Sequence, residues 1–198
     1  PSLARTMLRS RVMEKPKALP GSALHQFFLG TTQRCFRELA VGDETVIAYV
    51  ATVLTEFARS DRLYELRTAR GRAVDDVGDM QRAADSAEGL RTRAARKYIG
   101  DYTLFMTGLF RAHVESRGIL DYYVEAGQRS YRAVSELDLS LFRTGFLLFE
   151  QLAQNFEDYS GALDYMRKTC FARQSGQSSF ARFLEDVEGW LRTGLSNN

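Results

Sequence analysis

Proline occurs only at positions 1, 16 and 20 of this 198-residue chain. From Gly21 to Asn198 every residue can therefore donate a backbone N–H, and nothing in that stretch forbids a helix on that account. Apolar residues recur there at the 3.6-residue period of an amphipathic helix. Leu24, Phe27, Phe28, Cys35, Phe36 and Leu39 form a first stripe, with Ser22 as candidate N-cap. After a Gly42-Asp43 break, Asp43 is placed to cap a second helix buried through Val46, Ile47, Val50, Val53, Leu54 and Phe57. A short helix around Asp61–Ala69 and a polar stretch over 70–90 follow. Stripes resume over 93–116, 119–137, 140–159 and 178–193, the last carried by Phe180, Phe183, Leu184, Val187, Trp190 and Leu191. Ser116-Arg117-Gly118, Ser160-Gly161 and Gly176-Gln177-Ser178 read as stops between them. No segment alternates strictly enough to be read as a strand, and no repeat is evident. The expectation is all-α: one helical bundle domain over 21–194, of six to seven helices, with a tail at 195–198.

The ends and the charge pattern add little chemistry. Residues 1–20 carry Arg5, Arg9, Arg11, Lys15 and Lys17 against Glu14, and read as a basic arm. The whole chain has a formal net charge of only +2, which gives no global reason to expect nucleic acid or an anionic membrane. A second basic cluster, Arg91, Arg93, Arg96 and Lys97, starts the 93–116 helix, where it opposes the macrodipole unless acids such as Glu88 offset it. The most apolar run, Phe146–Phe149, stops at Glu150, far short of the roughly 20 residues a membrane span needs. Cys35 and Cys170 sit in apolar settings without metal-binding spacing and read as buried free thiols of a reducing, cytoplasmic compartment.

The 93–116 segment differs from an ordinary amphipathic helix. One side holds Tyr98, Ile99, Tyr102, Phe105, Met106, Leu109, Phe110 and His113; the other holds Gly100, Asp101, Thr103, Leu104, Thr107 and Gly108. A solvated face is not built from Gly and Thr. Gly108 alone costs a helix about 1 kcal/mol relative to Ala, so the close approach of another backbone is the expected compensation. The helix is therefore expected to be central and contacted nearly all round. Ala126, Gly127, Ser130 and Ala133 of the next helix offer a matching seam.

The run Gly100-Asp101-Tyr102-Thr103-Leu104-Phe105-Met106-Thr107-Gly108-Leu109-Phe110, followed by Asp121-Tyr122-Tyr123, Gly127 and Tyr131, resembles the signature of a bacterial protein family frequent in myxobacteria and their relatives. That signature reads G-D-x-x-L-F-x-[ST]-G-x-F and then D-Y-Y-x-x-x-G-x-x-x-Y. The resemblance implies a cytosolic helical protein and brings no activity, ligand or catalytic residue with it.

Asp101 is the acid of interest. A carboxylate on an enclosed face is costly unless it is paired or hydrogen-bonded, and Arg129, Tyr122 and Arg111 are candidate partners. It reads either as a structural polar bond that fixes helix register, or as the anchor of a ligand pocket lined by Tyr98, Tyr102, Tyr122, Tyr123, Tyr131 and His113. Asp75, Asp76 and Asp79 fit D-D-x-x-D, the Mg²⁺- and diphosphate-holding pattern of helical isoprenoid synthases, but no second aspartate-rich motif accompanies them. A solvated acidic turn with Val74, Val77 and Met80 tucked inward is the plainer reading. His25 and His113, the two histidines, lack the Glu-x-x-His spacing of di-iron bundles and any H-E-x-x-H motif, and read as packing residues; a haem with His113 as axial ligand is the sharper alternative. Nucleophile elbows and phosphate-binding loops are absent. No catalytic residue and no cofactor is called for. The residues favour a non-catalytic module that associates with protein, most simply as a homodimer, over a binder of a small apolar molecule. An isoprenoid-synthase-like or haem-binding enzyme comes last.

Overall fold

The computed structural model describes residues 22–59, 73–171, 184, 185 and 187–189, with the side chains of 73–76 lying outside that description. The basic arm, the Asp61–Ala69 segment, the Gly176–Ser178 stop, the 195–198 tail and most of the 178–193 stripe also lie outside it. Within it the chain is all-α, packed as one helical domain, with no strand among the described residues. The helices are α1 (Ala23–Glu38), α2 (Glu44–Phe57), α3 (Ala73–Asp85), α4 (Leu90–Leu109), α5 (Arg111–Ser116), α6 (Leu120–Ser140), α7 (Phe146–Gln154) and α8 (Phe156–Met166), followed by a π-helical turn, Arg167–Phe171. Of the C-terminal stripe, Leu184 and Val187 are described, and both are buried.

Local chemistry sets the first two helices. The Ser22 hydroxyl accepts the His25 N–H at 3.2 Å, and the Asp43 carboxylate accepts those of Thr45 and Val46 at 2.9 Å. Each relieves donors that have no partner inside the helix. Helix α1 ends in a Schellman motif, with Val41 N–H on the Phe36 carbonyl and Ala40 N–H on that of Arg37. Ala40 holds the left-handed position, φ +54°, where glycine is usual.

Helix α4 is central, as its Gly/Thr face requires. Every residue from Ile99 to Phe110 is buried, and α2, α3, α6 and α8 all pack on this helix. It runs antiparallel to α6: Arg93 meets Asp138, Asp101 meets Tyr131, and Thr103 lies where Gly127 faces it. What fills the space beside the glycines is side chain rather than backbone. A Cβ on Gly108 would lie 2.5 Å from the Leu163 Cβ of α8, and one on Gly100 would lie 2.6 Å from the Tyr131 ring. One on Gly127 would collide with the Phe156 ring and stand 2.6 Å from the Thr103 hydroxyl. The small residues are recesses that admit a leucine and two aromatic rings.

Several boundaries differ from those that periodicity suggests. The 93–116 stripe is two helices, broken at Phe110 (φ −121°, ψ 31°), which puts His113 on α5. The 140–159 stripe becomes α7 and α8, broken at Asn155, with residues 141–145 forming the corner that precedes them. Ser160-Gly161 lies inside α8 instead of stopping a helix, and the polar 70–90 stretch contains α3. Neither Phe110 nor Asn155 is a strong breaker, so packing of the flanking turns decides those bends.

Candidate functional site

Arg93, Lys97 and Asp101 follow one another at four-residue spacing on α4, which aligns them along one face. Asp101 is buried and fully engaged. Its Oδ1 accepts the Tyr49 hydroxyl at 2.6 Å and the Tyr131 hydroxyl at 2.9 Å, and its Oδ2 accepts the Lys97 ammonium at 2.6 Å. Burial, then the Asp101 charge, pushes both tyrosines well above their ordinary value, so both phenols stay protonated donors. The Lys97 ammonium also lies 5.0 Å from the centre of the Tyr49 ring.

A second carboxylate lies further along the same seam. Asp138 of α6 is wholly buried and takes Arg93 in a two-pronged pair, Nε to Oδ1 and Nη2 to Oδ2, both at 2.6 Å. The Arg143 guanidinium reaches the same Oδ1 at 3.0 Å, and its backbone N–H donates to the Asp138 carbonyl at 2.8 Å. Phe149 joins the two centres. Its ring lies edge-on to Tyr49 at 5.5 Å and carries Arg93 over its face at 5.4 Å.

The partners of Asp101 are therefore Lys97, Tyr49 and Tyr131. The three candidates from the sequence are engaged elsewhere: Arg129 with Glu125, Arg111 with Glu115 at 2.8 Å, and Tyr122 with Gln81 at 3.2 Å. Three of the four basic residues at the start of α4 are paired within the chain, Arg93 with Asp138, Lys97 with Asp101 and Arg96 with Asp85, while Arg91 is exposed. Tyr49 and Asp138 carry no motif. Their only signal is a polar residue flanked by apolar stripe positions, too common to single them out.

The five tyrosines divide into two groups. Tyr131 belongs to the Asp101 centre and also packs against Phe149 and Phe156. Tyr98, Tyr102, Tyr123 and Tyr122 form a chain of ring contacts, each 6.2–6.4 Å from the next, with Phe57 packed against the first two. His113 is half-buried on α5. Its Nε2 has no hydrogen-bond partner, and burial followed by Arg117 pushes its pKa down. His25 lies 3.3 Å from the Thr55 hydroxyl. Of the aspartate-rich run, Asp79 pairs with Arg82, while the side chains of Asp75 and Asp76 lie outside the described residues. Among the described residues no three His, Cys, Asp or Glu side chains group closely enough to hold a metal ion, and no helix is long and apolar enough to cross a membrane.

The thiols also depart from expectation. Cys35 is buried, but Cys170 is part-exposed and in polar company, with Arg34 Nη2 2.9 Å from its sulfur. The two sulfurs, 135 residues apart in sequence, lie 3.2 Å from each other.

The other conspicuous feature is apolar and exposed. Leu139, Leu141, Phe142 and Leu147 cluster at the corner between α6 and α7, with Phe142 97% exposed and Leu147 63% exposed. Phe142 holds φ +54°, a conformation that bulky side chains rarely adopt. Leu90, one turn ahead of the arginine that grips Asp138, is exposed at the same end of the bundle. Compared with protein-family models, with curated proteins and with solved structures, the chain finds no match.

Proposed function

We propose that the protein is a non-catalytic interaction module that self-associates through the α6–α7 corner. The observation that carries this reading is Phe142, which is exposed and backbone-strained at once. A left-handed backbone costs an L-residue roughly 1–2 kcal/mol, and an exposed phenyl ring recovers nothing within the chain. The left-handed residue belongs to the Schellman motif that ends α6, with Arg143 N–H on the Asp138 carbonyl and Phe142 N–H on that of Leu139, and the Arg143 guanidinium on Asp138 adds a further tie to that turn. The buried ion pair thus holds a corner that presents Leu139, Leu141, Phe142 and Leu147 outward. Four large apolar side chains left exposed within nine residues of one corner favour a contact surface.

A second copy of the chain is the partner that this corner suits. The exposed Arg132 and Glu136 of α6 and the exposed Arg143 border it with both signs of charge, which a two-fold pairing matches acid to base. The reading of Asp101 as a ligand anchor has less support, because its two oxygens already take three donors from within the fold.

Light scattering and sedimentation of the full chain test the proposal. The wild type is expected to dimerise at micromolar concentration. Phe142→Asp and Leu147→Asp are each expected to weaken the dimer at least about tenfold, as central apolar anchors do. A strict monomer, or a dimer indifferent to both substitutions, overturns it.

A further inference from the structure

The Cys35–Cys170 contact is independent of the self-association surface and points to chemistry rather than packing. Cys35 lies in the last turn of α1, and Cys170 lies in the π-helical turn that extends α8. At 3.2 Å the two sulfurs are already closer than an ordinary non-bonded sulfur contact, and about 1 Å of approach brings them to bonding distance.

The two thiols have unequal surroundings. Cys170 is part-exposed, with the Arg34 guanidinium 2.9 Å from its sulfur and the Thr169 hydroxyl at 3.5 Å. A guanidinium at that range favours the thiolate, which is the nucleophilic form of cysteine. Burial opposes ionisation of Cys170, but the contacts from Thr169, Cys35 and Arg34 outweigh it and bring its pKa down. Cys35 is buried, and burial, then the Cys170 contact, pushes its pKa up to about 11. One sulfur is accessible and activated. The other is sheltered and keeps its proton until a partner sulfur is in reach. This asymmetry distinguishes an attacking cysteine from a resolving one.

We propose that Cys35 and Cys170 form a two-electron redox site at which Cys170 reacts with a hydroperoxide and Cys35 resolves the product to an intrachain disulfide. In the first step the Cys170 thiolate attacks the distal peroxide oxygen. The S–O bond forms, the O–O bond breaks, and the departing oxygen takes up the proton that Cys170 gave up. With hydrogen peroxide it leaves as water, and Cys170 becomes a sulfenic acid. In the second step the Cys35 sulfur attacks that of Cys170. The S–S bond forms, the S–O bond breaks, and hydroxide leaves as water with the Cys35 proton. The sum is two thiols and one hydrogen peroxide giving one disulfide and two waters, with the sulfur pair losing the two electrons that the peroxide gains. The product ties α1 to the turn after α8 across 135 positions of sequence.

The test uses the full chain, fully reduced and then exposed to a few equivalents of hydrogen peroxide. Intact mass is expected to fall by two hydrogen atoms, both titratable thiols to disappear together, and a linked Cys35–Cys170 peptide to appear in the non-reducing digest. The melting temperature should rise by about 5 °C or more, because the closed loop is long. In Cys35→Ser the reaction stops at the sulfenic acid, so dimedone labels Cys170; in Cys170→Ser labelling at Cys35 is at least about tenfold lower. Arg34→Ala, an exposed substitution that leaves the fold intact by circular dichroism, slows thiol loss by roughly tenfold. Retention of both thiols under excess peroxide overturns the proposal. So does an exclusively intermolecular disulfide, or preferential labelling of Cys35.

Discussion

The carboxylate of Asp138 and the guanidinium of Arg93 face each other fork to fork, with both N–O distances at 2.6 Å and the carboxylate wholly buried. The pair joins the start of α4 to the end of α6 and positions the strained corner that follows. Desolvating two charges is expensive, and the bidentate geometry with Arg143 as a second arginine on Asp138 offsets that cost.

Arg93→Met is expected to destabilise the protein by about 3–5 kcal/mol, because it leaves Asp138 buried without its main partner. The double variant Arg93→Met/Asp138→Leu should recover roughly half of that loss or more, since no uncompensated charge remains. Urea denaturation midpoints at constant slope measure both. A single variant as mild as an ordinary surface substitution contradicts the account.

Gly108→Ala and Gly127→Ala should each destabilise by about 1–3 kcal/mol, although alanine is the better helix former by about 1 kcal/mol. The added methyl meets the Leu163 Cβ at 2.5 Å in one case and the Phe156 ring in the other. Gly161→Ala is the control, because nothing lies within 4 Å of a Cβ there, and it should be neutral or stabilising. Thermal melts of the three variants decide the matter by their order.

Asp43 ties stability to acid pH. Its pKa is held below the ordinary carboxylate value, first by the Val46 N–H, with burial opposing and Gln151 and Thr45 adding to it. A carboxyl whose folded pKa is depressed contributes fully above its unfolded value, near 3.8, and the contribution fades as pH falls through the folded value. Asp43→Ala should therefore cost about 1 kcal/mol at neutral pH. The gap between wild type and variant should close below about pH 3. Chemical denaturation of both proteins across the acid range reads the closing directly.

Ala40→Gly should stabilise. Ala40 is exposed and sits at φ +54° in the Schellman turn, where a methyl group costs roughly 1–2 kcal/mol and glycine costs nothing sterically. After the larger unfolded-state entropy of glycine, a gain of about 0.5–1 kcal/mol remains, about 1–4 °C in melting temperature. A melt that shifts downward would show that the turn is not strained.

The sequence by itself determined the class of the fold and the ends of its first helices. A proline-free stretch with 3.6-residue periodicity admits little but helices, and Ser22 and Asp43 cap through atoms two or three residues away. It also determined that α4 is central, because Gly100, Thr103, Thr107 and Gly108 make no sense on a wet face and all four are buried. Such signals are local: each needs only the residues within a turn or two. The tertiary structure decided everything that depends on distant pairs. Asp101 was legible as an enclosed acid, but its partners Tyr49 and Tyr131 come from two other helices. The breaks at Phe110 and Asn155 carry no proline or glycine and follow from what their neighbours pack against. Asp138, the display of Phe142 and the meeting of Cys35 with Cys170 have no sequence signature, because a contact across tens of residues is fixed by how helices cross, and periodicity records which face is buried without recording what it is buried against.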